Sequence, residues 1–343
     1  MELTTIWFCV IAGLWVGYFV LEGFDFGVGM LLPWLARDEV ERRVLINTIG
    51  PIWDGNEVWL IVAGAGTFAA FPEWYATLFS GFYLPLLLIL LALIARGVSF
   101  EYRHKRDDPT WRRRWDIAIF VGSAVPALLW GVAFANIVRG VDINGDKEFV
   151  GSTFDLLNPF GLLGGVTTVL LFLTHGALFI SLKTDGDIRH RARTLSVHLG
   201  LGAAVVAVAF LAWAQGLSGN AGSLALFALA AVSLLAGLFA AYRGREGWGF
   251  AGTFATIGLA VTGLFVALFP DVMPSTLGSA FSLTTTNAAA TDYTLKIMTV
   301  VAVVFSPLVL LYEGWSYWVF RRRISTRHIP GAKVPSDPLS QQS

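Results

Sequence analysis

The sequence is poor in charge. Only 14% of its 343 residues are Asp, Glu, Lys or Arg, against roughly 25% in soluble globular chains. That deficit excludes a disordered chain, a charged coiled coil and an ordinary soluble domain. The 24 basic and 24 acidic residues cancel, so no general attraction to nucleic acid is implied. The single cysteine, Cys9, excludes an internal disulfide and leaves the redox compartment unreadable. No Cys-x-x-Cys-His run, cysteine cluster or metal-ligand spacing occurs. A G-x-x-x-x-G-K-S/T phosphate loop is also missing, which argues against an ATP-driven pump.

What the chain has instead is long apolar runs. Hydrophobic residues make up 55%, and mean hydropathy is +0.66. Residues 74–95, 117–138, 156–182 and 247–270 carry no charge, and 194–242 runs 49 positions without one. A helix needs about 20 apolar residues to cross the hydrocarbon, so the longest run is two helices turning at Gly216–Asn220. Three further apolar segments contain acids. The pattern predicts an all-α polytopic membrane protein with nine transmembrane helices, over 5–34, 50–72, 74–100, 116–138, 157–182, 194–216, 222–243, 248–269 and 292–320. A membrane β-barrel would show alternating strands instead. The first helix has no basic segment before it and holds two acids, so it is not expected to be a cleaved signal.

Topology follows from Lys and Arg. Twenty-one of them fall in alternate connections and the tail, from Arg37 through Arg96 and Arg103 to Lys333; the other side has only Arg139 and Lys147. The positive-inside rule then puts the N-terminus outside and the C-terminus in the cytoplasm. Trp34, Trp111, Trp115, Trp248, Trp315 and Trp318 would form the inner aromatic belt, and Trp7, Trp74 and Tyr75 the outer one. Phe19-Val-Leu-Glu22-Gly23-Phe-Asp-Phe26 is echoed by Phe172-Leu-Thr-His175-Gly176-Ala-Leu-Phe179. Four helices separate the copies, so the repeat is parallel rather than inverted. The implied plan is a first four-helix unit over 1–138, an outer loop over 139–156, and a second unit over 157–269. An outer loop over 270–291, a ninth helix over 292–320 and a cytoplasmic tail over 321–343 complete it.

Ionisable residues within membrane helices are expensive, so each is a functional candidate. Glu22 and Asp25 are three apart, as are Asp54 and Glu57, which puts each pair on one helix face. Adjoining antiparallel helices would bring all four carboxylates together in the inner half of the membrane, with few local bases. The functional reading is a group that holds and passes protons. In the alternative, Asp54 caps the second helix and Glu57 lies among headgroups. Glycines 23, 27, 29, 55, 64 and 66 permit close helix approach. His175 and His198 lie on adjacent helices in a way that would suit haem, but a hydrogen-bonded or interfacial histidine is the simpler account. His104, His190 and His328 sit in basic segments. Asp292 and Lys296, four apart, suggest an intrahelical ion pair; Glu313 suggests pairing with Arg321–Arg323. Asp116 reads as a helix-opening acid.

EGFDFGVGML at 22–31 and GPIWDGNEVWL at 50–60 closely resemble subunit II of the cytochrome bd quinol oxidases. FSGFYLPL at 79–86, FEYRHK at 100–105, RWDIAIFVGS at 114–123, NPFGLLGGV at 158–166, FPDVMPS at 269–275 and LLYEGWSYW at 310–318 extend the resemblance over almost the whole chain. The resemblance implies a partner subunit of a complex that oxidises quinol, reduces dioxygen to water and generates proton motive force. It implies two haems b and one haem d, all bound by subunit I and none ligated by this chain. It also implies two four-helix bundles with a peripheral helix, and contact with lipids, quinones and small accessory subunits. The residues carried over to a cytoplasmic proton path are Asp25 and Asp54, with Trp53 beside the second; Glu22 and Glu57 join them as further carboxylates. Glu22 and Glu57 stand where relatives have an aspartate and a glutamine, and His175 where some have an amide. The competing functional class is a free-standing proton-coupled transporter, although no clearly broken pair of helices marks a mid-membrane substrate site. A scaffold without a proton role is the third reading.

Overall fold

The computed structural model describes residues 2–329, so Lys333 of the predicted tail lies outside the described residues. Eleven α-helices carry the chain: α1 (Leu3–Leu35), α2 (Glu39–Ile49), α3 (Trp53–Ala70), α4 (Pro72–Gly81), α5 (Tyr83–Tyr102), α6 (Pro109–Arg139), α7 (Pro159–Lys183), α8 (Gly186–Ser218), α9 (Ala221–Tyr242), α10 (Glu246–Leu268) and α11 (Asp292–Val319). A short antiparallel ladder pairs β1 (Asp271–Met273) with β2 (Leu283–Thr284). Among the described residues, eight helices are long and apolar enough to cross a membrane: α1 and α5 through α11.

Several predicted boundaries change. The segment 50–72 is helical but is not among those eight, because its 18-residue helix α3 opens with Asp54, Asn56 and Glu57. The predicted helix 74–100 is two helices that meet at Phe82. Pro85 lacks an N–H and its ring crowds the carbonyl four residues back, so the chain bends there. Residues 39–49, read as part of a basic loop, form α2, whose start is capped by Asp38 accepting from the Glu41 N–H. That Asp-x-x-Glu pattern is a helix-start signal legible in the sequence. α6 starts at Pro109 with Asp108 as its cap, so Asp116 lies two turns inside the helix rather than opening it. α8 begins eight residues before its predicted start, capped by Asp185.

α1 is the central helix and packs against α3, α6, α7 and α10. Its closest approach is to α7. A Cβ on Gly27 would sit 2.0 Å from the Phe172 carbonyl oxygen and 2.8 Å from the Gly176 Cα. The two helices that carry the echoed motif therefore cross backbone to backbone, with Phe19 and Phe172 rings 6.0 Å apart. Small residues at such crossings let dispersion contacts accumulate where lipid offers no hydrophobic drive. Towards the N-terminal end of α1, Trp15 packs on Trp130 at 4.9 Å and on Phe134 at 5.0 Å, and the Trp130 Nε1 donates to the Tyr18 hydroxyl at 3.1 Å.

The two ends of the bundle differ. At one, the segments 140–158 and 269–291 knit together: the Val141 N–H donates to the Pro274 carbonyl at 3.1 Å, and the Lys147 Nζ to the Asn287 carbonyl at 2.9 Å. At the other, basic residues pair across connections. Arg103 reaches Glu39 at 2.8 Å and Asp116 at 2.6 Å; Arg191 reaches Glu41 at 2.6 Å; Arg189 reaches Glu246 at 2.9 Å. Burial pushes the Glu39 carboxyl up, but the hydrogen bonds and charge of Arg103 outweigh it and hold the group below its ordinary value. Asp292 and Lys296 are both exposed, and no ion pair joins them among the described residues. Each side chain is hydrated more cheaply by water than by its neighbour.

The α1–α7 crossing yields a direct test. Gly27→Ala inserts a methyl into backbone and is expected to destabilise the protein by about 1–3 kcal/mol or more, seen as a lower midpoint of thermal unfolding. Gly202→Ala, where an added Cβ meets nothing within 4 Å, is expected to leave the midpoint unchanged or slightly raised. Equal midpoints for the two variants would contradict the crossing.

Candidate functional site

One turn of α1 places Glu22 and Asp25 towards α3 and α5. Both carboxylates are fully buried, as are Arg96 of α5 and Asn56 of α3. Arg96 enters because Gly122 of α6 has no side chain: a Cβ there would lie 2.6 Å from the Arg96 Cβ. The Arg96 Nη1 donates to Glu22 Oε1 and, at 3.3 Å, to Glu57 Oε1. The guanidinium also lies over the Phe26 ring at 4.8 Å and the Phe100 ring at 5.6 Å. Cation–π contact of this kind offsets part of the desolvation of the cation.

A second chain of bonds runs from Asp25. The Asn56 Nδ2 donates to Asp25 Oδ2 at 2.6 Å, and the Tyr317 hydroxyl of α11 donates to Asn56 Oδ1 at 2.7 Å. The amide orientation follows from chemistry, since a carboxylate only accepts and a phenol next to an amide oxygen must donate. Glu22 Oε2, Asp25 Oδ1, Arg96 Nε and Arg96 Nη2 have no hydrogen-bond partner among the described residues. Leaving such atoms unpaired costs about 1–3 kcal/mol each. Acceptors and donors therefore remain for a proton or a water to satisfy.

The four predicted carboxylates do not all meet. Glu22, Asp25 and Glu57 gather around Arg96, whereas Asp54 is exposed and, among the described residues, accepts only from the Gly55 N–H, at 2.9 Å. It does not cap α3, whose N-cap is Ile52. Glu57 lies between the two environments: it bonds Arg96, and 23% of its side chain is exposed. Glu313 turns to this outer face rather than to Arg321–Arg323, with its Oε2 3.4 Å from where a Gly55 Cβ would be. Trp53 packs on Phe100 at 4.9 Å and against Gly97, which anchors the start of α3 to α5.

Arg96, Asn56 and Tyr317 are the residues that sequence reasoning missed. Arg96, predicted to lie in a basic connection, is instead a buried cation inside α5, which lowers the basic count at that end to twenty. Its position inside the predicted helix 74–100 was the available signal. Asn56 stood within the acidic motif itself, and nothing marked Tyr317.

The two candidate histidines lie in different surroundings. His175 is buried, its Nδ1 is 2.7 Å from Thr253 Oγ1 and its Nε2 3.2 Å from the Val20 carbonyl, so both ring nitrogens are engaged. Its ring stacks on Phe250 at 4.5 Å. His198, His104 and His190 are exposed; the side chain of His328 lies outside the described residues.

Comparison with known proteins agrees with this architecture. Residues 3–320 match the family described as cytochrome bd terminal oxidase subunit II. The chain is 44% identical over 331 residues to cytochrome bd ubiquinol oxidase subunit 2 of Bacillus subtilis, covering 94% of this chain and 97% of that protein. It is 37% identical over 365 residues to cytochrome bd-I ubiquinol oxidase subunit 2 of Escherichia coli (strain K12), covering 94% and 96%. A solved structure of bd oxidase from Geobacillus thermodenitrificans superposes with a TM-score of 0.75 at 17% identity, over 93% of this chain and 99% of the matched one, and so shares the fold. The resemblance carried by the acidic motifs thus extends over the full helical body, and the chain belongs to the cytochrome bd terminal oxidase subunit II family.

Proposed function

We propose that this chain is the haem-free partner of a haem-bearing subunit I in a quinol:oxygen oxidoreductase, and that its carboxylate cluster forms part of the proton path to oxygen reduction. Its relatives are subunits of such oxidases, and family membership with eight membrane-length helices makes it a multi-pass protein of the bacterial inner membrane. In this assignment two haems b and one haem d belong to subunit I, which fits a chain whose buried histidine has no free nitrogen. Quinol is the substrate of the complex; small accessory subunits, lipids and quinones complete the assembly. Membership in an oxidase family removes the ground for the transporter reading.

One observation carries the proton role: three buried or half-buried carboxyls, Glu22, Asp25 and Glu57, surround one guanidinium. A proton is the remaining counter-charge that such a cluster can take up. Glu57 links it to the exposed Asp54, so the sequence Asp54, Glu57, then Glu22 and Asp25 leads from the surface of α3 to the protein interior. Oxygen reduction to water consumes protons, and drawing them from the cytoplasm contributes to proton motive force.

The assignment includes α3 as the ninth span, with its polar start at the basic end, where Asp54 would meet cytoplasmic water or subunit I. It also keeps the units 1–138 and 157–269, with N-terminus outside and C-terminus inside, since basic residues concentrate at one end of the bundle.

Three measurements follow. Asp54→Asn and Asp25→Asn are each expected to slow quinol oxidase turnover by roughly tenfold or more while haem content is preserved, because an amide cannot ionise to relay a proton. Unchanged turnover in fully haem-loaded complexes of both variants would rule out the path. Arg96→Gln leaves buried carboxyls without their cation and is expected to cost about 3–5 kcal/mol of stability. Most of that loss should be recovered in Glu22→Gln/Arg96→Gln, read as the yield of assembled complex after heating; no recovery would mean that the pair is not the reason Arg96 matters. On a Cys9-free background, Asp146→Cys should label from outside intact cells and Lys105→Cys should not. The reverse pattern would invert the topology.

A further inference from the structure

At the basic end of the bundle a cavity of about 800 Å³ opens between α1, α2, α7, α10 and α11, within the size range of sites that hold small ligands. Its deep wall is apolar. Phe24 stacks on Phe179 at 4.1 Å, and Phe250 meets Phe179 at 5.7 Å, so the surface is a continuous aromatic face. Its rim is cationic: Lys183, Arg321, Arg322 and Arg323 all line it, and no Asp or Glu does.

These cations differ from the ion-paired arginines at this end. Arg103, Arg189 and Arg191 each pair with carboxylates. None of the four rim cations forms an ion pair among the described residues. Arg323 donates to the Ser181 and Thr184 carbonyls at 3.1 and 2.6 Å, Lys183 to the Phe320 carbonyl, and Arg321 to the Trp318 carbonyl at 2.5 Å while lying over that indole at 4.2 Å. Backbone carbonyls hold Lys183, Arg321 and Arg323 in place, and no carboxylate bonds to them among the described residues. α11 itself touches little protein: only 6% of its apolar window is buried. The residues that follow it bond to the end of α7, the Ile324 N–H donating to the Lys183 carbonyl at 2.7 Å, so the cavity is closed at this point and lies beside the C-terminal part of α11.

We infer that the cavity binds one phospholipid with an anionic headgroup, its acyl chains against Phe24, Phe179 and Phe250 and its phosphate among Lys183 and Arg321–Arg323. Charge complementarity selects the occupant: an apolar slot alone would take any acyl chain, whereas four cations at its mouth, none in an ion pair among the described residues, select a net negative headgroup. Basic pockets between membrane helices bind lipid headgroups for this reason. The lipid fills the space between α11 and the bundle and fixes the helix that supplies Tyr317 to Asn56 and Asp25.

The test uses the purified, delipidated complex and mass spectrometry under non-denaturing conditions. The probes are phosphatidylglycerol, phosphatidylcholine with the same acyl chains, and inorganic phosphate. Wild type is expected to retain one more phosphatidylglycerol than phosphatidylcholine, and millimolar phosphate should not displace it. Arg321→Gln/Arg322→Gln should weaken that retention by about tenfold or more, since each surface cation contributes appreciably to anionic lipid attraction. Gly314→Trp keeps every charge and fills the cavity, because a side chain there meets nothing within 4 Å of its Cβ; it should remove the same lipid. Equal retention of the two lipids by wild type, unchanged phosphatidylglycerol in both variants, or displacement by phosphate would each overturn the site.

Discussion

A guanidinium and a carboxylate removed from water deep in a helical bundle dictate much of what surrounds them. Each ion costs several kcal/mol to desolvate, so Arg96 and Glu22 persist only because the neighbouring sequence supplies compensation. Gly122 lets the Arg96 backbone approach α6. Phe26 and Phe100 present ring faces to the guanidinium. Glu57 provides a second acceptor from α3. The pair therefore ties α1, α3 and α5 together at one depth, and the Gly27–Gly176 crossing holds the other side of α1 against α7. Charge on one face of α1 and a glycine contact on the other fix that helix in rotation, which is what presents Asp25 to Asn56.

The same arrangement explains why the acids are distributed rather than clustered. A fourth carboxylate inside would add repulsion with no further cation to meet it, and Asp54 instead faces outward, with Glu313 turned to the same surface. In the proposed assembly that surface is where protons pass from water or the partner subunit to Glu57. α5 and α11 expose long rows of apolar side chains, among them Leu87, Leu91, Val303 and Leu311. In this protein such faces meet lipid or a second subunit, not water.

The pseudo-repeat has a physical counterpart. Glu22 and His175 occupy matching places in the two copies of the motif, and both are buried polar groups bonded from neighbouring helices: Glu22 Oε1 by Arg96, His175 by Thr253 and the Val20 carbonyl. The first copy needs a charged partner and recruits Arg96. The second bonds to a hydroxyl and a backbone oxygen and stacks on an aromatic ring.

Composition and hydropathy by themselves determined the membrane class, the all-helical architecture and most of the long helices, because the bilayer admits few ways to satisfy a backbone. Motifs around Asp25 and Asp54 pointed to the family, since their residue types and order are specific. Helical spacing also marked Glu22, Asp25, Asp54 and Glu57 as one group, of which the structure gathers Glu22, Asp25 and Glu57. Tertiary structure alone decided the rest. It moved Arg96 from a counted loop charge to the centre of the cluster, turned Asp54 outward, and brought Tyr317 from 261 residues away to Asn56. The bend near Pro85 and the start of α2 have local causes in the sequence instead, a proline and the Asp38 cap, which hydropathy does not register. Spacing along one helix reports which residues share a face, but helix rotation and depth depend on contacts between helices distant in sequence, and no local pattern encodes those.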